Sequence, residues 1–199
     1  MNLAKNSTRA PLVFLFAAAA LFIFFASFAR SLGASELFSK DIVISGADIQ
    51  SRVDAMNPIV VRKHGATLTL SHPVVLLGQQ ANLLSVASDL DFEPPAIAAK
   101  LGAPAHVLGH AKATGSLRYE ASEGAFYIDA PQVAEFQLAR ASEKINSIAR
   151  ELAQGAATHT LGAKPVFILK DDNLKQKLAK ATLKKTTISN GNIVATVGF

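Results

Sequence analysis

The sequence of 199 residues contains no cysteine. This absence excludes a disulfide framework, a thiol nucleophile, a thiolate metal site and a lipid-modified N-terminal cysteine. Common catalytic motifs are also missing, since the sequence has no G-x-S-x-G elbow, no phosphate-binding P-loop and no dinucleotide-binding glycine fingerprint. Its five histidines form no H-E-x-x-H motif of a zinc protease, since His106 and His110 are four positions apart but Val107 stands where the motif has glutamate. We therefore predict a protein that is not an enzyme and that uses neither a metal ion nor a cofactor.

The longest apolar run spans residues 11–29 and contains no charged side chain. As a helix, this run would be about 28 Å long, close to the hydrocarbon thickness of a bilayer. Two interpretations remain open: an uncleaved transmembrane anchor, or a signal peptide cut near Ala29 or Ala34. The length of the run favours the anchor. In both cases residues 1–10 would be cytoplasmic and residues 30–40 a linker, with the C-terminal domain in the periplasm of a bacterium. We thus predict a single-pass protein of the inner membrane, or an exported protein if the run is cleaved.

Positive charge is concentrated near the C-terminus, where residues 164–185 hold seven lysines and two aspartates. Lysines beside a bilayer attract anionic headgroups, so this segment predicts a membrane-surface contact. The alternative is an ordinary solvated surface. Because no aromatic residue lies among the lysines of residues 170–185, and because the domain would lie outside the cytoplasm, nucleic acid is not an expected partner. The predicted membrane-contact residues are Lys175, Lys177, Lys180, Lys184 and Lys185.

The pattern of apolar residues predicts an α+β domain over residues 41–199. Residues 105–120 alternate between an apolar and a polar face, and residues 125–133 return after a turn, so these two strands should pair. Residues 135–160 have apolar side chains every three to four positions, which predicts one long amphipathic helix. Together these patterns predict a curved antiparallel sheet wrapped around that helix and preceded by the transmembrane helix.

Several local signals mark shorter elements. Ser45 is placed to cap a helix that ends before Pro58, with Asp48 three residues later. Residues 96–101 predict a short helix, and Asn190-Gly191 predicts the turn of a terminal hairpin.

Small residues on one face of the strand at residues 105–120 suggest room beneath the long helix. The functional interpretation is an elongated apolar slot for an acyl chain or a similar ligand. The alternative is a helix that packs directly on the sheet, with the glycines serving strand curvature. The predicted slot lining is Val107, Gly109, Ala111, Ala113, Phe126, Ile128, Ile145, Ile148 and Leu152.

Five short segments carry a resemblance to a known family. They read ISGADI at residues 44–49, GAFYI at 124–128, KPVFILKDD at 164–172, LAK at 178–180 and GNIV at 191–194. In these segments the chain resembles the YceB-like family of bacterial envelope proteins. The resemblance implies a tubular lipid-binding fold and no catalytic residues. Many members look like lipoproteins, whereas this chain has no cysteine to lipidate, so residues 11–29 would take the place of the lipid anchor.

Two functions follow from these observations. The first is a membrane-tethered periplasmic domain that binds a membrane lipid or another apolar ligand in the slot between sheet and helix. The alternative is a structural or interaction module of a bacterial envelope complex, with a protein partner and no ligand.

Overall fold

A computed structural model of the protein describes residues 39–78, 82–170, 176–177, 180 and 182–198. Apart from Ser39, these residues belong to one unit, Lys40–Phe199. The predicted anchor at residues 11–29, the segment 1–10 and most of the linker at 30–40 lie outside the described residues. Within the described ranges, no helix combines the length and the apolar character needed to cross a bilayer.

The described part of the chain is mostly β-structure. Its elements are β1 (Ser39–Ser45), α1 (Gly46–Asp54), β2 (Ile59–Lys63), β3 (Ala66–Leu77), β4 (Leu83–Glu93), α2 (Ala96–Lys100), β5 (Val107–Glu120), β6 (Ala125–Leu138), α3 (Glu143–Ala156), a π-helical turn (Ala157–Leu161), β7 (Phe167–Ile168), β8 (Leu183–Ser189) and β9 (Asn192–Gly198).

The strands form two sheets. One is a six-stranded antiparallel sheet in the order β2-β3-β4-β5-β6-β7, and the other has three strands in the order β1-β9-β8. The predicted pairing of the two long strands is confirmed, since Glu120 pairs with Ala125 next to the turn. The terminal hairpin is confirmed as well, and the two residues of its turn, Asn190 and Gly191, have φ angles of 51° and 70°. These left-handed angles are typical of a type I′ turn, which suits the twist of paired strands.

The prediction of an α+β domain with a curved sheet wrapped around one long helix is wrong, because the described part of the chain is mostly β-structure. The domain has one six-stranded sheet and short helices, and α3 contains only 14 residues. Glu135 and Leu138, which were expected at the start of the helix, lie in β6 and pair with Lys112 and Gly109 of β5. The cause is that an inward-facing Leu138 fits both a helical and an alternating pattern, and pairing with β5 satisfies the backbone of this stretch.

The change from strand to helix occurs over four residues. Arg140 has a φ of 53°, in the left-handed region, which ends the extended backbone of β6. Ser142 then caps α3, because its hydroxyl accepts a hydrogen bond from the Ile145 N–H at 3.4 Å. The same device starts α1, where Ser45 accepts from the Asp48 N–H at 3.1 Å, as the sequence predicted.

Two groups of buried side chains form the core. The α3 core lies between α3 and the sheet and consists of Ala66, Leu68, Leu90, Phe92, Val107, Ala111, Val133, Leu138, Ala149, Leu152, Ala153 and Ala157. The small-sheet core joins the other part of the six-stranded sheet to α1 and the three-stranded sheet. It consists of Ile44, Ile49, Val53, Leu84, Val86, Phe126, Ile128, Leu161, Val166, Leu169, Ile193, Ala195 and Val197. Burial of each large apolar side chain contributes about 1.5–3 kcal/mol.

A glutamine attaches α3 to β6. The Gln154 side chain donates from Nε2 to the Pro131 carbonyl at 2.8 Å, and its Oε1 accepts from the Val133 N–H at 2.9 Å. The pairing of β6 with β5 is irregular in this region. A side-chain amide carries one donor group and one acceptor, so it satisfies backbone groups as a neighbouring strand would. Arg150 adds a bond from Nη2 to the Val133 carbonyl at 3.2 Å.

A second glutamine attaches α1 to β3 in the same manner. Gln50 donates from Nε2 to the Pro73 carbonyl at 2.7 Å and accepts from the Val75 N–H at 2.8 Å. The register of β3 against β4 shifts between Ser71 and Val74. Both glutamines thus bind a Pro-x-Val segment at an irregular position of a strand, where proline contributes no N–H to the ladder.

Candidate ligand-binding site

Much of the predicted slot is occupied by packed side chains. Ala111 and Ala113 line a cavity of about 30 Å³ between the sheet and the C-terminal half of α3. That volume is far below the roughly 300–1,000 Å³ that pockets for small ligands usually have. The small side chains on both elements, such as Ala153 and Ala156, therefore bring α3 directly onto the sheet here.

The structure divides the remaining slot residues between different environments. Val107 and Leu152 are buried in the α3 core. Phe126 and Ile128 lie in the small-sheet core, away from α3. Gly109 faces its neighbouring strand, since a Cβ at this position would lie 2.9 Å from the Leu138 Cα.

Ile145 and Ile148 lead to a larger cavity at the N-terminal end of α3. This cavity, which we call the α2–α3 pocket, has a volume of about 470 Å³. Pockets for small ligands usually span about 300–1,000 Å³ and have mainly apolar walls. The pocket is lined by Phe92, Pro95, Ile97, Ala98, Leu101, Gly102, Ala103, Pro104, Arg140, Ser142, Lys144, Ile145 and Ile148.

One wall of the pocket is the segment from β4 to β5. Strand β4 ends at Glu93, followed by Pro94 and Pro95, and prolines disfavour continuation of a strand. The Pro95 carbonyl accepts from the Ala98 N–H at 2.8 Å, which starts the five-residue helix α2. Gly102 then turns the chain with a φ of 87°. This local sequence places α2 beside the start of α3.

The opposite wall is the first part of α3, and the floor is a core side chain. Phe92 is fully buried at the base, while Ile145 and Ile148 are half-buried, one helical turn apart. Ile97 and Leu101 of the α2 segment also line the pocket and are 71% and 84% exposed. These two side chains make the mouth of the pocket apolar. Their contact with water is unfavourable compared with burial.

Of the described residues that line the pocket, two are charged, and both are cations, Arg140 and Lys144. Within the described ranges, neither forms an ion pair or a side-chain hydrogen bond. Other basic residues do have partners. Lys63 Nζ lies 2.6 Å from Glu151 Oε1, and this pair links β2 to α3.

The predicted membrane-contact lysines have different surroundings. Lys177, Lys184 and Lys185 are exposed, whereas Lys175 lies outside the described residues. Lys180 is half-buried, and its carbonyl accepts a hydrogen bond from Tyr119 Oη at 3.5 Å. These positions leave the membrane contact of the segment as a prediction.

A depression of about 400 Å³ next to α1 and β7 is lined by polar groups that include Asp48, Arg52 and Lys170. Among the residues that the structure describes, no group of three or more histidine, aspartate or glutamate side chains is arranged to hold a metal ion.

Sequence reasoning identified the short helix at residues 96–101 but not the pocket beside it. The signal was available, because Ile97 and Leu101 lie four positions apart in a segment bounded by prolines and a glycine. In a helix such residues share one face. Their exposure depends on what packs against that face, which the local sequence does not specify.

Comparison with curated proteins finds no match for this chain. A family match covers residues 44–192, which includes both walls of the α2–α3 pocket. By this match, the chain belongs to the family described as "Protein of unknown function (DUF1439)".

Proposed function

We propose that this protein is a binding domain whose ligand is a lipid or another apolar molecule held in the α2–α3 pocket. The observation that carries the proposal is a cavity of about 470 Å³ with Phe92, Ile145 and Ile148 as its apolar walls. The tightly packed region under the rest of α3 is not required for this function. The proposed role is binding rather than catalysis, and it involves no cofactor.

We further propose that residues 11–29 tether the domain to the bacterial inner membrane, with the domain in the periplasm. The support for this part is the uncharged apolar run and the resemblance of five segments to the YceB-like envelope proteins. A tether of this kind would keep the pocket within a short linker of a lipid bilayer, which would be the source of its ligand.

The proposal is tested by photolabelling of the full chain in phosphatidylcholine nanodiscs. The probes are dodecanoic acid, dodecyl phosphate and 1-dodecanol, each with a photoreactive diazirine on the chain, and labelled peptides are identified by mass spectrometry. We expect labels in residues 92–104 and 140–148. Absence of all three probes from these two segments would overturn the proposal.

A matched pair of variants shows whether the label depends on the pocket. Ala98 lines the pocket, so Ala98→Phe should fill it and remove most of the labelling. Ala96 lies in the same short helix and is exposed, so Ala96→Phe should label as the unchanged chain does. Circular dichroism of both variants verifies that the domain is folded. Equal labelling of the two variants would contradict binding in the pocket.

A second candidate function is an interaction module of an envelope complex. The observation that favours it is the exposure of Leu101 and Ile97, because exposed apolar patches also mark protein interfaces. A photo-crosslinking amino acid at position 101 of the full chain, activated in cells, separates the two functions. A discrete protein adduct would support the interaction module, and lipid adducts would support the ligand-binding role.

A further inference from the structure

We infer that the ligand of the α2–α3 pocket is a single-chain amphiphile with an anionic head, and that Arg140 and Lys144 bind this head. The inference rests on the proposed function and names its ligand class. The shared chemistry is a carboxylate or phosphate group attached to an acyl or alkyl chain.

The first argument is the sign of the charge. Arg140 and Lys144 line the pocket, and among the described residues no aspartate or glutamate does. Glu93 directly follows the lining residue Phe92, and Glu143 lies between the lining residues Ser142 and Lys144. Neither glutamate lines the pocket itself. An anion in the pocket would therefore meet two positive charges without a carboxylate lining the same cavity, whereas a cationic head would be repelled.

The second argument is that the two cations are available. Within the described residues neither side chain forms an ion pair or a hydrogen bond, so binding an anion would break no internal contact there. A guanidinium group can donate two parallel hydrogen bonds to a carboxylate or phosphate, and an ammonium group adds a mobile point charge.

The third argument is the separation of polar and apolar lining along α3. Two polar lining residues, Arg140 and Ser142, precede α3, and Lys144 lies in its first turn. The apolar lining residues Ile145 and Ile148 follow along the helix, and the buried Phe92 lines the pocket with them. An amphiphile fits this order with its head at the start of α3 and its chain toward Phe92. Arg140 also keeps a left-handed backbone, with a φ of 53°, and such costly conformations concentrate at ligand clamps.

The test compares three photoreactive probes with the same twelve-carbon chain: dodecanoic acid, dodecyl phosphate and 1-dodecanol. The full chain is used in phosphatidylcholine nanodiscs, together with Arg140→Gln, Lys144→Gln and the double variant. Lys100→Gln is the matched control, because Lys100 is an exposed lysine of α2 that does not line the pocket.

We expect the double variant to label the pocket about tenfold less with the acid, with the phosphate or with both. A tenfold change is the effect expected from the loss of one charge-assisted hydrogen bond. Labelling by dodecanol should stay within about twofold, and Lys100→Gln should change neither. Each probe is compared with itself across variants, so differences in bilayer partitioning cancel. A larger effect on one anionic probe assigns the head as a carboxylate or a phosphate.

Two results would overturn the inference while leaving the proposed function intact. One is anionic labelling of the pocket that persists in the double variant. The other is an equal loss for dodecanol, which would mean that the substitutions alter the pocket rather than a head-group contact. If none of the three probes labels the pocket of the unchanged chain, the proposed function itself is overturned.

Discussion

The backbone N–H of Val133 in β6 donates a hydrogen bond to the Gln154 side chain in α3, with an N–O distance of 2.9 Å. The Pro131 carbonyl, two residues earlier, accepts from the same side chain at 2.8 Å. A helix side chain thereby completes the hydrogen bonding of a strand where its pairing is irregular. The contact is polar and directional, so it fixes α3 against the sheet more closely than apolar packing does.

Gln154→Leu should therefore destabilise the domain. The substitution leaves the Val133 N–H and the Pro131 carbonyl without their partner, and each such loss costs about 1–3 kcal/mol. The measurement is the free energy of unfolding of the full chain in urea. Gln137→Leu, at an exposed position of the same strand as Val133, is the control and should change this free energy by less than about 0.5 kcal/mol. Equal stability of the two variants would show that the contact with Gln154 contributes little.

Two glycine-to-alanine substitutions should have opposite effects. A Cβ at Gly109 would lie 2.9 Å from the Leu138 Cα, so Gly109→Ala must displace β5 from β6 and lower the thermal midpoint. A Cβ at Gly155 meets no atom within 4 Å, and in α3 an alanine is more favourable than glycine by about 0.5–1 kcal/mol. Gly155→Ala should thus raise the midpoint, as followed by circular dichroism. A stabilising Gly109→Ala would mean that the two strands are not so close.

Ala111→Phe distinguishes a filled interface from an open slot. The cavity beside Ala111 is only about 30 Å³, so a phenyl ring would overpack the α3 core and cost about 1–3 kcal/mol in stability. Ser116→Phe on the same strand is exposed and should cost much less. Urea midpoints of the two variants provide the comparison. If Ala111→Phe retains full stability, room exists beneath the helix, as the slot hypothesis required.

The histidine that directly precedes β5, His106, should titrate above its ordinary range. The Asp91 carboxylate lies 3.0 Å from His106 Nδ1, and this hydrogen bond, followed by the charge of Asp91, raises the pKa of His106 from its ordinary value of 6.5. The raised pKa means that the protonated form favours folding. Its contribution is fully present below pH 6.5 and is lost as the pH rises through the folded-state pKa.

The pKa of His106 can be followed by NMR through its imidazole carbon-bound protons. Asp91→Asn should lower this pKa toward 6.5, since it removes the principal cause of the shift. Asp89→Asn is the matched control, because the Asp89 carboxylate contacts His72 at 3.1 Å and should leave His106 unchanged. A His106 pKa that is insensitive to Asp91→Asn would contradict the assigned cause.

The elements with strong local signals were predicted correctly from the sequence. The cap at Ser45 and the Asn190-Gly191 turn depend on a few adjacent residues, and both are present. The start of α3 could not be predicted in this way. Leu138 fits both the two-residue period of a strand and the three-to-four-residue spacing of a helix. Only its pairing with Gly109 of β5 decides that it belongs to a strand.

The candidate site was less predictable than the fold, for a similar reason. Ile145 and Ile148 were identified as ligand-facing residues, and both do line the α2–α3 pocket. Phe126 belongs to the small-sheet core instead. The reason is that α3 packs on one part of the six-stranded sheet and the three-stranded sheet packs on the other part. That division depends on the topology of the whole chain, which periodicity along single strands does not reveal.

The polar contacts of α3 have a consequence for the width of the α2–α3 pocket. Among the described residues, three side chains of α3 form hydrogen bonds or ion pairs with the strands: Arg150, Glu151 and Gln154. All three lie in the C-terminal half of the helix. The turn that carries Ile145 and Ile148 is held by apolar contacts and by its cap. Helix α3 thus has one end held to the sheet by hydrogen bonds and one end held to it by apolar contacts. A change in the width of the pocket at this second end would cost apolar contacts but none of the described hydrogen bonds to the sheet.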